Sequence, residues 1–138
     1  MTDTKAAILH PGKLPVNDRG NGAATIPLVT RKCGARSMIN GITSFQPGAR
    51  IGLHFHNCEE SVMILEGRAI AEIGDDRHYL QAGDTTWIPA GVPHRFLNES
   101  DEVMRIFWTY ADIEASRTML ATGVEQSIDE EHEKARRL

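Results

Sequence analysis

The stretch from Leu53 to Glu60, written LHFHNCEE, holds two histidines two positions apart and two glutamates shortly after them. In a β-strand, side chains two positions apart point to the same face and lie about 7 Å apart. His54 and His56 would then aim at one point, as two imidazoles on one metal ion do. Two ordinary histidines at a strand end would show the same spacing, so this stretch alone leaves both interpretations open.

Two longer patterns include these residues. Gly48 to Gly67 has the form G-x5-H-x-H-x3-E-x6-G, and Gly83 to Asn98 has the form G-x5-P-x-G-x2-H-x3-N. All ten fixed positions are present, and 15 residues separate the two patterns. Together and in this order, the patterns resemble the paired motifs of the cupin superfamily, and their separation resembles that of small bacterial single-domain cupins of the conserved-barrel type.

The resemblance implies an all-β fold, the double-stranded β-helix or jelly-roll barrel, which encloses its site. It also implies that one divalent metal ion is held by His54, His56 and Glu60 of the first motif and His94 of the second. Three neutral imidazoles and one carboxylate suit Mn, Fe, Ni, Zn, Co or Cu better than Ca or Mg. Four protein ligands on an octahedral ion leave two positions for water, dioxygen or substrate oxygens.

Two neighbouring residues are the alternatives to these ligands. Glu59 lies outside the motif spacing, and if Glu60 lies on the metal face of its strand, alternation places Glu59 on the opposite face. Cys58 is interpreted as a small residue at the mouth of the barrel, not as a soft ligand. The other histidines stand in loop or tail segments and are predicted to be surface residues: His10, His78 and His132.

Strand alternation also predicts the wall of a substrate pocket. Phe96 follows His94 by two residues, so it points to the same interior. Trp108 and Tyr110 share one face of the last strand, and they either line an aromatic pocket beside the metal or pack outward against a helix or a second subunit. Asn40 is expected to supply a polar contact, and no catalytic residue is assigned. The nearby arginines are interpreted as solvated surface residues: Arg36, Arg50, Arg95 and Arg105.

Eight short β-rich runs between Ile26 and Tyr110, separated by Gly, Pro, Asn and Asp, must position these side chains. In chain order they are IPLVTRK, SMINGITSF, SVMIL, RAIAEI, HYLQ, TTWIP, HRFLN and VMRIFWTY. Their close spacing leaves no room for crossover helices, so an antiparallel barrel is predicted. Residues 1–25 are predicted to be a flexible segment or an exchanged strand, residues 26–111 the cupin barrel, and residues 112–138 a helical tail. The tail is expected to hold one or two short helices, over 112–120 and after the capping box that Ser127 begins.

The composition limits the function classes. The chain has 138 residues and a net charge of -4, which suits one globular domain and argues against nucleic acid as a partner. No apolar run is long enough to span a membrane, and two cysteines are too few for a disulfide scaffold. A cytoplasmic protein is therefore expected. Small cupins that resemble this chain usually form homodimers, so a homodimer is expected as well.

For function, the resemblance implies a metal-dependent enzyme whose small, oxygen-bearing substrate is chelated at the metal. Dioxygenases, isomerases, lyases and polyketide cyclases all use this fold, and the fold does not choose between them. The alternative is a module that binds or senses a small molecule through the metal without turnover.

Overall fold

The computed structural model describes residues 5–133. These residues form twelve strands and one α-helix, with two short 3₁₀ turns. In chain order the elements are β1 (Asn17–Gly20), β2 (Ala23–Pro27), β3 (Ile39–Phe45), β4 (His54–His56), β5 (Glu60–Glu66), β6 (Arg68–Ile73), β7 (Asp76–Gln81), β8 (Thr85–Ile88), β9 (His94–Leu97), β10 (Met104–Tyr110), β11 (Ser116–Met119), β12 (Glu125–Ser127) and α1 (Ile128–Glu133).

The strands make two sheets of six, and neighbouring strands pair antiparallel. The first sheet has the order β1-β2-β3-β10-β5-β8, and the second has the order β12-β11-β4-β9-β6-β7. Distant strands are inserted between near ones: β10 lies between β3 and β5, and β9 lies between β4 and β6. This order is that of a jelly roll, in which the chain winds back and forth between two facing sheets. The predicted all-β jelly-roll barrel is confirmed.

The core lies between the two sheets and follows from strand alternation. Every second residue of β3 and of β10 is buried, as expected when one face of a strand packs inward. Ile39 and Phe45 at the ends of β3, and Met104 and Ile106 on β10, are each at most 5% exposed. The inward-facing residues of β10 end with Trp108 and Tyr110, so the core carries polar groups as well as apolar ones at that end of the barrel.

The sheet begins earlier than the sequence predicted. Residues 17–25, predicted to precede the barrel as a loop or an exchanged strand, form β1 and most of β2, which pair with each other and continue onto β3. The run Gly20-Asn21-Gly22 has positive φ at all three residues and is the turn of this hairpin. Asn and Gly tolerate that conformation, so the run that reads as a flexible segment is a tight hairpin turn.

The predicted helix over residues 112–120 is wrong. Residues 116–119 are β11, whose partner strands are β4 and β12. The composition favours a helix locally, but β4 would be a free sheet edge without β11, and the hydrogen bonds of that edge override the local preference. The tail is therefore two strands followed by one short helix within the described residues.

The capping box at Ser127 is confirmed. Ser127 Oγ accepts a hydrogen bond from the Glu130 backbone N at 3.0 Å, and α1 follows directly. Ile128, the first residue of α1, is fully buried and fixes the helix to the barrel. The rest of the predicted helical tail lies outside the described residues. Among residues 5–133, no helix has the length and apolar character that a membrane crossing requires.

Candidate metal centre

Three strands bring the four predicted ligands together. His54 and His56 are the two buried residues of β4, with Phe55 between them on the other face. His94 is the first residue of β9 and pairs directly with His54 across the sheet. Glu60 is the first residue of β5, in the opposite sheet, where alternation turns it inward with Val62. The site therefore spans both sheets.

The donor atoms of these side chains converge. One ring nitrogen from each of His54, His56 and His94 lies within 4.8 Å of the others, a grouping that could hold a metal ion. Glu60 Oε1 lies 2.9 Å from His94 Nε2 and 3.7 Å from His56 Nε2. All four residues are at most 6% exposed. The carboxylate that the motif spacing predicted is thus beside the three imidazoles.

Backbone carbonyls fix the three rings. His54 Nδ1 lies 2.7 Å from Gly52 O, His56 Nδ1 lies 3.0 Å from Ser116 O, and His94 Nδ1 lies 2.9 Å from Val92 O. A carbonyl only accepts hydrogen bonds, so each Nδ1 carries the proton and each Nε2 of a neutral ring offers a lone pair. Metal-binding histidines are oriented in this way by groups behind them.

The protonation states suit a cation. Burial lowers the pKa of His54 well below its usual value and that of His56 to about 4, so both rings are neutral. Burial alone would raise the pKa of Glu60, but His94, His56 and Arg117 lower it below its usual value, so the carboxylate is ionised.

The donor set fits a divalent transition metal. Buried polar atoms are normally hydrogen-bonded, yet Nε2 of His56 and of His94 and Oε1 of Glu60 have no hydrogen-bond partner among the described residues. Glu60 Oε1 lies 2.9 Å from His94 Nε2, but with the proton of His94 on Nδ1 both atoms are acceptors, so the contact satisfies neither atom. Three imidazole nitrogens and one carboxylate oxygen match the preferences of Mn, Fe, Co, Ni, Cu or Zn.

A cavity of about 30 Å³ lies beside the ligands, and its wall includes His54, Glu60 and His94. Phe96, Trp108 and Tyr110 line this cavity. Of the two alternatives for Trp108 and Tyr110, their side chains therefore point inward and not outward. Trp108 Nε1 donates to Thr43 Oγ1 at 2.9 Å, which satisfies the buried indole.

Asn40 does not line this cavity, contrary to the prediction. It lies on the outer face of β3, because Ile39 and Gly41 on either side of it face inward. Its Oδ1 accepts a hydrogen bond from the Val29 backbone N at 2.9 Å, so it holds the chain that follows β2.

The two alternatives to the predicted ligands have other roles. Glu59 is exposed, and its carboxylate accepts a hydrogen bond from Trp87 Nε1 at 2.6 Å on the outside of the barrel. Cys58 is 9% exposed within the hydrophobic core, and burial raises the pKa of its thiol to about 11. A thiol with that pKa stays protonated at neutral pH and is a poor metal ligand.

Four charged or titratable residues near the site were not predicted. Arg19 and Arg117 line the cavity, Glu131 of α1 pairs with both, and His132 of α1 lies with its ring 5.7 Å from that of Trp108. His132 is 7% exposed, so the prediction that it is a surface residue is wrong. Two signals were available. Ile128 is an apolar residue at the start of α1 that can pack against the barrel, and Arg117 shares a face with Met119 if residues 116–119 are taken as a strand.

Comparison with known proteins agrees with this geometry. The chain is 34% identical to Protein SchB of Streptomyces halstedii over 77% of this chain and 78% of that protein. It is 34% identical to Polyketide synthase CurC of Streptomyces cyaneus over 67% of this chain and 60% of that protein. The fold matches the polyketide cyclase RemF of Streptomyces resistomycificus with a TM-score of 0.73 and 19% identity, over 90% of this chain and 86% of RemF.

The model of the cupin domain family Cupin_2 matches residues 41–110, which include all four predicted ligands and strands β4 to β10 in full. That match covers half of the chain, and the jelly-roll order of the strands agrees with it. The chain is therefore a member of the cupin superfamily, in the Cupin_2 family of cupin domains.

Proposed function

We propose that the protein binds one divalent transition-metal ion through His54, His56, His94 and Glu60 and acts as an enzyme on a small, oxygen-bearing molecule. The observation that carries this proposal is the convergence of buried donor atoms without partners. Nε2 of two histidines and Oε1 of Glu60 are buried and unsatisfied, while the opposite nitrogen of every ring is held by the backbone. Unsatisfied buried polar atoms are costly, and a bound cation removes that cost.

A metal ion at this position would supply a Lewis acid for substrate oxygens. The chain itself supplies an apolar wall. Phe96, Trp108 and Tyr110 are each at most 5% exposed and restrict water around the reacting atoms. Burial raises the pKa of the Tyr110 hydroxyl above its usual value, so Tyr110 is a neutral hydrogen-bonding group and a poor general base. Glu59 faces outward, so it cannot act as a general base in the cavity.

We further propose that the reaction is ring closure of an enolisable polyketide. The support is the similarity to the polyketide synthase CurC and the fold shared with the polyketide cyclase RemF. Such a substrate presents neighbouring carbonyl and enol oxygens, which suit a metal ion with open positions. The cavity of about 30 Å³ has room for roughly two water molecules, so it would receive the chelating oxygens while the rest of the molecule lies outside it.

The first test is metal content. The protein is purified without chelators and measured by elemental analysis beside His54→Ala, Glu60→Ala and, as the matched control, Glu59→Ala. We expect near-stoichiometric metal in the wild type and in Glu59→Ala, and a large loss in the other two variants. A wild type that is metal-free and cannot be loaded would refute the metal site, and equal loss in Glu59→Ala would refute the choice of glutamate.

The second test is turnover. The metal-loaded protein is incubated with a linear aryl 1,3,5-triketone with and without dioxygen, and ring closure is followed by absorbance and mass spectrometry. Product formation independent of dioxygen supports a cyclase. Oxygen consumption would instead indicate a dioxygenase, and tight binding without product would indicate the non-catalytic module. The homodimer, the exchanged N-terminal strand and the cytoplasmic location remain predictions.

A further inference from the structure

Arg117 lies beside the predicted ligands although no motif contains it. It is on β11 and pairs directly with His56 of β4, so the two side chains lie on the same face of the sheet. It is 8% exposed and lines the cavity together with His54 and Glu60. A guanidinium group is always charged at neutral pH, so this places a fixed positive charge inside the barrel.

The charge of this cluster is only partly balanced. Arg117 Nη1 donates to Glu131 Oε2, and Arg19 Nη1 lies 3.5 Å from Glu131 Oε1. Two guanidinium groups therefore share one carboxylate. Burial alone would raise the pKa of Glu131, but the two arginines lower it below its usual value, so that carboxylate is ionised. The cluster of Arg19, Arg117 and Glu131 keeps one positive charge without an anion of its own, and Glu60 is the one carboxylate among the described residues that line the cavity.

The hydrogen bonding of Arg117 is also incomplete. Its Nη2 donates to the Tyr110 hydroxyl at 3.4 Å, and its Nη1 is taken by Glu131. Its Nε is buried and has no hydrogen-bond partner among the described residues. A buried N–H of a charged group favours an anionic acceptor, since charge-assisted hydrogen bonds are the strong ones.

We propose that Arg117 recognises the ligand as an anion by donating its Nε–H to a carboxylate or enolate oxygen of the molecule that enters the cavity. This inference rests on the metal-dependent function proposed above. With a divalent ion held by Glu60 and the histidines, two guanidinium groups and the ion face only two carboxylates, Glu60 and Glu131. The site then holds two excess positive charges in a buried space, where charge without a counterion is costly.

Glu131 is the internal anion that competes with the ligand in this proposal. It is supplied by α1, and its ion pair with Arg117 neutralises part of the charge that a bound anion would meet. The competing explanation is that Arg117 only anchors α1 through the ion pair. The two explanations differ in their consequences for anion binding: an anchor would affect stability alone, whereas a recognition residue affects affinity for anions and not for neutral ligands.

The test uses the full chain loaded with Co²⁺, whose visible spectrum reports ligands that enter the metal coordination. Malonate, an anionic two-oxygen chelator, and imidazole, a neutral ligand, are titrated at about pH 7.5 and about 0.15 M NaCl. We expect the Arg117→Gln variant to keep its Co²⁺. Its affinity for malonate should fall at least about tenfold, whereas its affinity for imidazole should stay within about twofold of the wild-type value. Arg117→Lys should fall between the two, because it keeps the charge but not the Nε–H.

The control variant is Arg95→Gln. Arg95 follows His94 on β9, and its Nε donates to Glu72 at 2.6 Å, so this variant also breaks an arginine–glutamate pair but away from the cavity. Malonate affinity should stay within about twofold of the wild type. Arg117→Gln with bound Co²⁺ and unchanged malonate affinity would overturn the proposal, as would equal weakening of malonate and imidazole.

A variant without the ion pair covers the case in which Arg117→Gln does not fold. Glu131→Gln removes the carboxylate that competes for Arg117, so we expect malonate affinity to rise at least about threefold, whereas unchanged or weaker malonate binding would indicate a mere anchor. Failure of the metal site itself is separate, since it appears as a wild type without Co²⁺. Malonate is then titrated into metal-free protein: binding that depends on Arg117 supports the anion site, and no binding overturns it.

Discussion

Replacing Gly41 with alanine should displace Trp108 from the wall of the cavity. Gly41 on β3 pairs directly with Trp108 on β10, and the indole lies over the glycine. A Cβ built on Gly41 would be 2.6 Å from Trp108 Cζ2, 2.9 Å from its Cη2 and 2.7 Å from the carbonyl oxygen of Ile26. Real Cβ atoms essentially never approach other heavy atoms this closely, so the ring or the strand must move.

The size of the effect follows from two contributions. Overpacking a core by one methyl group costs about 1–3 kcal/mol. Moving the indole also breaks the hydrogen bond from Trp108 Nε1 to Thr43 Oγ1, for about 1 kcal/mol more. We therefore expect Gly41→Ala to lower the free energy of unfolding by about 2–4 kcal/mol. With a urea m-value of about 2 kcal/mol/M, the midpoint falls by about 1–2 M.

The measurement is urea unfolding followed by circular dichroism and by tryptophan fluorescence. Trp87 is 65% exposed and the chain has two tryptophans, so a Trp87→Phe background leaves Trp108 as the only indole. The control is Gly12→Ala, since a Cβ on Gly12 would meet nothing within 4 Å. If Gly41→Ala changed neither the midpoint nor the Trp108 emission, the close packing described for this wall would be refuted.

Three further changes test other parts of the fold. Asn98→Ala should cost about 2–4 kcal/mol in urea unfolding, because Asn98 Nδ2 donates to Phe45 O at 2.9 Å and to Glu102 O at 2.7 Å. Ser127→Ala should cost about 1 kcal/mol by the same assay, since it removes the cap of α1. For pH, burial lowers the pKa of His132 from 6.5 to about 4, so the unfolded chain takes up the proton first. Stability is then full above about pH 6.5 and falls toward pH 4 by about 3 kcal/mol for this group, and His132→Gln should flatten that fall.

The central strands were predictable because their pattern is local. The run RAIAEI is β6 without any shift, and the predicted strands for β5, β7, β8, β9 and β10 each differ from the structure by two residues or fewer at either end. Strand alternation also predicted which side chains point inward. On β5, Glu60 and Val62 point into the barrel, whereas Ser61 and Met63 point to solvent. Where one strand has a buried and an exposed face, the sequence records it directly.

The strands at the sheet edges were not predictable for the opposite reason. β1 and β2 form a hairpin whose glycine-rich turn looks like a linker in the sequence, and β11 has the composition of a helix. These strands form because they hydrogen-bond to the edges of strands that are distant in the sequence. β11 in particular pairs with the edge of β4. Arg117 was missed with β11, since an arginine on a predicted helix gives no reason to expect it inside the barrel.

The centre of this protein therefore has two origins. The proposed ligand set lies within residues 54–94 and follows from motif spacing, whereas its electrostatic surroundings come from Arg19, Arg117 and Glu131, far apart in the sequence. A change at these three positions leaves all four donor atoms in place but alters the charge that a ligand meets. Substitutions there are therefore expected to change which ligands bind, while substitutions within the motifs are expected to change whether a metal ion is held at all.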